Sequence, residues 1–306
     1  MRYIFYIMLF ITGFFPLQSQ EQFPSYQLEV GDRYFIRQEL NQGTDSDNME
    51  ITGNASLDIK FRLDMHVTGI LPGGSYDIAC SYSDLALDFF SPSSGHAISS
   101  RSEAFTPIQR YLELLEEVEF GIRLSDHGKI LRIWNLDRQI SDVTYDGTID
   151  SAKNQVIRQT LTESFGSAAV YSLSSILTDL YNDSSDTRCD KVNTIYFNAK
   201  PVEIQKTLYY SNTGSENLRV QGVGMITEST GEIEFSDGTI VSTMKGNQTF
   251  DYLVDRRTGW IIRGVSKQKI HTLSVITDNS SLPEGLRIPS ITSSEYEFTG
   301  GVVHQE

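Results

Sequence analysis

The sequence predicts a mostly β, α+β fold: a large curved antiparallel sheet, half-barrel-like, with one central helical region covering its apolar face. Three observations carry this. Residues 57–68 read LDIKFRLDMHVT, with Leu57, Ile59, Phe61, Leu63, Met65 and Val67 each followed by a polar residue. Strand side chains alternate faces with period two, so this run is one strand, buried on one side and wet on the other. At about 3.3 Å per residue it spans about 40 Å, and a strand of that length needs long neighbours. The second observation is the periodicity of 150–181, where Ile157, Leu161 and Phe165 stand four apart and Leu173, Ile176, Leu177 and Leu180 share one helical face. The third is order. Strand patterns, then this helical region, then strand patterns again are what helices packed on one side of an antiparallel sheet require.

Taken in turn, Tyr26, Leu28 and Val30 alternate with Gln27 and Glu29 as a first strand, a second covers 33–40, and the polar NQGTDSDN is a loop leading to the long strand. LPGGS at 71–75 reverses the chain. On the return, Tyr76, Ile78, Cys80 and Tyr82 form the buried set, after which the phase moves to Leu85, Leu87 and Phe89. With Met65 facing Tyr82, one extra residue at Ser83 or Asp84 sets Leu63 against Leu85, Phe61 against Leu87 and Ile59 against Phe89. A β-bulge is expected there, bending the hairpin and increasing its twist; the alternative is that the second strand ends at Tyr82 and a new one begins.

Pro107 opens a short helix through Leu115. Val118, Phe120, Ile122 and Leu124 then alternate as a strand, SDHG supplies a turn, and KILRIW returns. In the helical region Asp150 or Ser151 caps the start and Gly166 interrupts the run. Strands follow as NTIYF, PVEIQKTLYY, LRVQGVGMITE, GEIEFSD and TIVSTM, then QTFDYLVD and GWIIRGVSKQKIHTLSV around the turn DRRTG. Residues 278–306 lack steady periodicity and read as a partly ordered tail. The chain thus divides into residues 1–19, a single β-rich domain at 20–277 with strand-rich halves 26–145 and 192–277, and that tail.

Residues 1–20 read MRYIFYIMLFITGFFPLQSQ: one basic residue, an apolar stretch and a short polar end, the pattern of a cleaved secretory signal peptide at 1–19. The apolar stretch is shorter than the roughly 20 residues of a spanning helix, and no later segment could cross a membrane. No cysteine stands near the cleavage point for lipid attachment. The expected location is secreted or periplasmic. A formal net charge of −15 argues against nucleic acid and anionic membrane surfaces as partners. An oxidising compartment permits a bridge between the two cysteines, Cys80 and Cys189, although spacing alone does not show proximity. The other reading makes Cys80 a small buried hydrophobe.

Sequence patterns for chemistry are sparse. The five histidines form neither HExxH nor a close pair with ligand spacing. His66 and Asp64 project from the wet face of the long strand as a base and its orienting group, or simply as two solvated residues. No GxSxG elbow, complete dinucleotide fingerprint or phosphate loop is present. Gly222 and Gly224 instead mark a bulge or close backbone packing within a strand. TDSDNME at 44–50 has the aspartate spacing of a calcium loop without its glycine and final glutamate. Arg256, Arg257, Arg263, Lys267 and Lys269 cluster about DRRTG, either to receive a negative partner or to protect an edge strand from aggregation. No cofactor, metal site or catalytic residue is implied.

The segments LEVGDRYFIRQE, PGGSYDIACSYSDL, GIRLSDHGKILRIWNLD and FDYLVDRRTGW resemble a family of uncharacterised exported proteins of Bacteroidota, a domain of unknown function, over most of the mature chain. That resemblance implies no catalytic residues. More distantly, long amphipathic strands with a D-x-x-T-G hairpin, here Asp255, Thr258 and Gly259, are similar to the half-barrels of periplasmic lipoprotein carriers, which hold acyl chains in an apolar concavity. The function expected is a non-catalytic binding protein for a hydrophobic ligand or lipid, held between helix and sheet by Phe61, Leu63, Met65, Tyr82 and Leu85. The same five residues equally suit a dry, filled core. The alternatives are an envelope protein-interaction or scaffold module without a small ligand, and a hydrolase built around His66 and Asp64.

Overall fold

Alternation of apolar and polar residues continues well past 57–68: strand β2 (Ala55–Ile70) buries Ile59, Phe61, Leu63, Met65 and Val67 on one face. The computed structural model describes residues 26–46, 54–91, 96–100, 107–144, 151–181, 186–197, 200–235, 238–277 and 286–303. The expected signal peptide at 1–19 and the capping residue Asp150 lie outside these.

The remaining strands are β1 (Arg33–Ser46), β3 (Tyr76–Ser91), β4 (His96–Ser99), β5 (Glu119–Leu124), β6 (Ile130–Trp134), β7 (Arg188–Phe197), β8 (Lys200–Asn212), β9 (Asn217–Phe235), β10 (Gly238–Asp255), β11 (Ile261–Thr277) and β12 (Leu286–Val302). They form one open antiparallel sheet in the order β6, β5, β3, β2, β1, β12, β11, β10, β9, β8, β7, with β4 paired to the far end of β3. Among the described residues four helices accompany it: α1 (Pro107–Glu116), α2 (Leu136–Val143), α3 (Ser151–Phe165) and α4 (Ser167–Asp179). Among the described residues no helix is long and apolar enough to cross a membrane. The helices lie on the sheet's apolar inner face, where Leu112, Leu115, Leu136, Ile140, Leu161, Phe165, Leu173 and Leu177 join the strand residues in one core.

The expected bulge is present. Lys60 pairs with Ala86 while Arg62 pairs with Ser83, so Asp84 and Leu85 together oppose Phe61. Asp84 has φ +55°, a left-handed conformation. The register differs from expectation: Met65 faces Cys80, Leu63 faces Tyr82, Ile59 faces Leu87 and Leu57 faces Phe89. A second bulge near the turn, where Thr68 is extra on β2, shifts the pairing and has no signature in the apolar pattern. Gly166 separates α3 from α4 as expected.

Several elements differ from the sequence reading. Residues 26–32 are not a strand, although Tyr26 and Leu28 are buried, while β1 extends through the polar segment expected as a loop to Ser46 because β2 and β12 pair with it on both sides. The supposed tail supplies β12, an interior strand between β1 and β11; its apolar parity is diluted by Ser294 and Thr292, which face inward with Tyr296 and Phe298. GEIEF and TIVSTM are continuations of β9 and β10 rather than separate strands. α2 was missed; it buries only Leu136 and Ile140, one turn apart. β11 is interior, so Lys267 and Lys269 do not guard an edge, and Lys267 pairs with Glu295 at 2.8 Å. Gly222 serves close packing: a β-carbon there would lie 2.3 Å from Thr207 O and 2.5 Å from Phe250 Cζ.

The conformation of Asp84 gives a direct check on the bulge. Asp84→Val should destabilise the protein by about 1–2 kcal/mol, because a β-branched residue resists positive φ. Asp84→Gly should retain the bulge and cost less. Urea denaturation of the two variants tests this, and equal losses would show that the backbone conformation is not the cause.

Candidate functional site

Helix α4 spans the gap left by the open sheet. On the side of β6, the Ile130 amide donates to Ser174 Oγ at 3.0 Å, and the Tyr26 hydroxyl donates to Leu177 O at 3.0 Å. Gly128, in the SDHG turn with φ +77°, lets Leu177 O approach so closely that a β-carbon would stand 2.5 Å from it. On the other side, α4 packs on edge strand β7. The sheet therefore curls until both edges reach one helix.

An α-helix leaves its last carbonyls without intrahelical donors. Here the sheet supplies them. Asn193 Nδ2 donates to Ser175 O at 3.1 Å, the Tyr210 hydroxyl to Asp179 O at 2.9 Å and to Tyr181 O at 3.1 Å, and Lys191 Nζ to Thr178 O and Tyr181 O. Beside them lies a fully buried ion pair, Lys206 Nζ to Asp179 Oδ2 at 2.6 Å, with Ser175 Oγ 2.8 Å from the same ammonium and Asn193 Nδ2 donating to Asp179 Oδ1 at 2.8 Å. Burial pushes the Asp179 carboxyl above its usual range, and Lys206, Lys191 and Asn193 pull it back. The cations also suit the negative end of the helix dipole.

Where α3 and α4 lie over β1, β2 and β10 to β12, a cavity of about 250 Å³ remains between helices and sheet. Its apolar lining is Leu40, Leu57, Ile59, Phe89, Ile176 and Phe298. The helices contribute Ser164, Ala168, Ala169, Ser172 and Ser175, and the exposed Glu163 stands at the margin. From the sheet come Gln38, Gln42, Gln248 and Gln268 with Ser266. Gln248 is 7% exposed; its Nε2 donates to Ser266 Oγ at 2.7 Å, while its Oε1 has no partner. The Ser294 hydroxyl donates to Gln42 Oε1 at 3.2 Å. Buried polar atoms are ordinarily paired, and Gln248 Oε1, which has almost no accessible surface, is an exception.

The five residues expected to touch a ligand do not line this cavity. Phe61, Leu63, Met65 and Tyr82 are at most 4% exposed and Leu85 packs against the same core. Phe61, Tyr82 and Phe165 form an aromatic cluster with centroids 5.5 to 6.3 Å apart, and the Tyr82 hydroxyl donates to Phe165 O at 2.8 Å. The cavity begins further along β2, at Ile59 and Leu57. The missed glutamines were detectable in principle, since Gln248 has the parity of buried Phe250, Tyr252 and Val254.

Cys80 and Cys189 are not bridged: Cys80 is buried on β3 and Cys189 lies on β7, with β2, β1, β12, β11, β10, β9 and β8 between them in the sheet. On the outer face, Asp64 accepts from Arg62 Nε at 2.8 Å and from the Ser83 hydroxyl at 2.7 Å, which engages its carboxylate away from His66. A wider outer depression, about 760 Å³, lies over Arg37, Arg219, Asp251 and Arg263. Its charges are largely matched internally, Arg219 with Asp251 and Arg37 with Asp84.

The chain belongs to the family of unknown function DUF6263, whose match covers residues 73–261. No curated protein matches it. Among solved structures, one of lipovitellin, titled for lipid–protein interactions, is similar over 92% of this chain at 9% identity and a TM-score of 0.49. The likeness covers 27% of the lipovitellin chain. An outer membrane channel from Pseudomonas putida F1 is similar over 90% of this chain and 98% of its own, at 9% identity and a TM-score of 0.20. Similarity at these values does not establish a shared fold.

The anchoring of α4 predicts how the protein responds to loss of its buried cation. Lys206→Met leaves Asp179 buried without its partner and should cost about 3–5 kcal/mol, much of it recovered in Asp179→Leu/Lys206→Met. With the folded pKa of Asp179 raised above its unfolded value, stability of the single variant is greatest at low pH and falls as pH rises through the folded pKa. Urea denaturation of both variants between pH 5 and 8 measures each effect; a single variant as stable as the parent protein would contradict the anchoring role.

Proposed function

Membership of a family of unknown function assigns no activity, and from the geometry we propose that this protein is a non-catalytic binding protein for a small hydrophobic or amphiphilic molecule. The observation that carries the reading is the cavity between α3, α4 and the inner sheet face, where Leu40, Leu57, Ile59, Phe89, Ile176 and Phe298 are set among amides and hydroxyls. Its volume lies just under the roughly 300–1,000 Å³ of ligand pockets, which suits a single short chain or ring system. Beyond the helices the inner face is mixed, with half-buried Ile240, Ile276 and Ile288 separated from Met244 and Ile270 by Ser242, Ser274, Thr272 and Ser290. Engagement of Asp64 by Arg62 and Ser83 supports the non-catalytic part of the reading. The sequence of residues 1–19 supports action outside the cytoplasm.

A second reading, a protein-interaction module, is favoured by Val192, Tyr209, Val223 and Met225, all at least half exposed on β7 to β9 beside the sheet edge. The first reading has the more enclosed site.

Delipidated protein should bind the uncharged probe N-phenyl-1-naphthylamine with a rise in its fluorescence. Ala169→Trp, which fills the cavity from α4, should weaken that binding at least about tenfold, equivalent to about 1.4 kcal/mol. Unchanged binding in this variant, with its thermal unfolding intact, would place the ligand elsewhere and refute the reading.

A further inference from the structure

Resting on that reading, we infer that the ligand lies across the strands, its head group, which both donates and accepts hydrogen bonds, placed on Gln268 and its apolar tail running toward Leu57 and Phe89. The register of the sheet sets this polarity. One transverse row of inward positions passes through Gln248 on β10, Gln268 on β11, Ser294 on β12, Gln42 on β1, Leu57 on β2 and Phe89 on β3. The row is polar as far as β1 and apolar beyond it. At the usual strand spacing of about 4.8 Å, the path along the sheet from Gln268 to Phe89 is about 19 Å, so a compact polar group cannot reach both ends. The neighbouring row, from Ser266 and Tyr296 to Leu40 and Ile59, runs in the same sense, and all four of its residues line the cavity.

Gln268 is the amide on this row that stands open at both ends. It is only 9% exposed and lines the cavity, yet its side chain makes no hydrogen bond among the described residues and both amide atoms keep accessible surface. Because neither end is engaged, the choice of which is oxygen and which is nitrogen does not alter the chemistry on offer. Its neighbours are already occupied, Gln248 with Ser266 and Gln42 with Ser294. A nearly buried amide without partners is costly, and a head group carrying a donor and an acceptor side by side, as a carboxamide does, satisfies both ends at once. A carboxylate would instead set its charge against the amide oxygen, and no cation lines the cavity to compensate. An ester supplies acceptors only and leaves that oxygen bare.

The test uses the delipidated full chain with bound N-phenyl-1-naphthylamine, displaced by octanamide or by methyl octanoate, which share a tail and differ in the head-group donor. Taking the ratio of the two displacing concentrations and comparing it between variants cancels their different affinities for water. In Gln268→Met, with thermal unfolding intact, the amide-to-ester ratio should rise at least about tenfold, the scale of one buried hydrogen bond. Should that variant not fold, Gln268→Asn, which keeps the amide but withdraws it by one carbon, should move the ratio in the same direction. Leu57→Ala, toward the other end of the row, should weaken both ligands alike and leave the ratio as in the parent protein. A ratio unmoved by substitution of Gln268, or one that moves in Leu57→Ala instead, would overturn the placement of the head group while leaving a hydrophobic site in place. Failure of the probe and both chains to bind the parent protein would overturn the site itself.

Discussion

The last turn of α4 is the constraint on which this architecture depends. A sheet this wide, left open, has two edges that twist away from each other and an inner face too broad to cover with one layer of side chains. Here both margins are tied to the same helix. Tyr26 and Gly128 hold Leu177 from one side, while Lys191, Asn193, Lys206 and Tyr210 hold Ser175 through Tyr181 from the other. No left-handed cap residue closes α4: Leu180 has φ −72°. The sheet takes the part that a glycine cap would otherwise play, so helix termination and sheet curvature become one structural event. A buried ion pair is a poor source of net stability compared with apolar packing, but it fixes position, since neither Lys206 nor Asp179 can move without stranding a charge.

Curvature also comes from the strands. The bulge at Asp84 bends β3 where it passes from pairing with β5 to pairing with β4, and the shifts at Thr68 and between Met244 and Gly246 add local twist. Of these, the first is readable in the sequence because it changes which residues are apolar: Tyr82 and Leu87 are both buried despite their opposite parity. Thr68 leaves no such trace, since it sits where the alternation is already ending. The long strands were legible for the same reason that the helical region was, through a period sustained over many residues. β12 was not, because Thr292 and Ser294 face the interior and erase the contrast between its two faces. The extension of β1 through NQGTDS is dictated by its two neighbours rather than by its own residues.

Legibility of the candidate site follows the same logic in reverse. Apolar residues of the long strand point toward the core, so Phe61, Leu63, Met65 and Tyr82 were natural candidates for a hydrophobic ligand. They are instead where the core is best filled, with Phe165 completing an aromatic cluster above them. Space opens only where the apolar parity is interrupted by glutamine. Gln38 and Gln42 on β1, Gln248 on β10 and Gln268 on β11 each occupy inward positions among apolar neighbours, and they meet across strands distant in sequence. A single strand shows one polar exception; only the sheet order makes four exceptions into one wall.

The two faces of the sheet divide polar chemistry between them. Outside, opposite charges are set across neighbouring strands, as with Lys60 and Glu39, Arg123 and Asp77, and Arg219 and Asp251. Arg123 and Arg219 hold the carboxyls of Asp77 and Asp251 below their usual range by direct hydrogen bonds. Such pairs contribute little stability each, because water screens them, yet they leave few open electrostatic demands on that face. Inside, apart from the ion pair of Lys206 and Asp179 at the end of α4, the buried polar groups are mostly neutral amides and hydroxyls, and each unmade hydrogen bond there costs more than at the surface. Replacing Gln248 by an apolar residue would remove that desolvation cost and complete a conventional core.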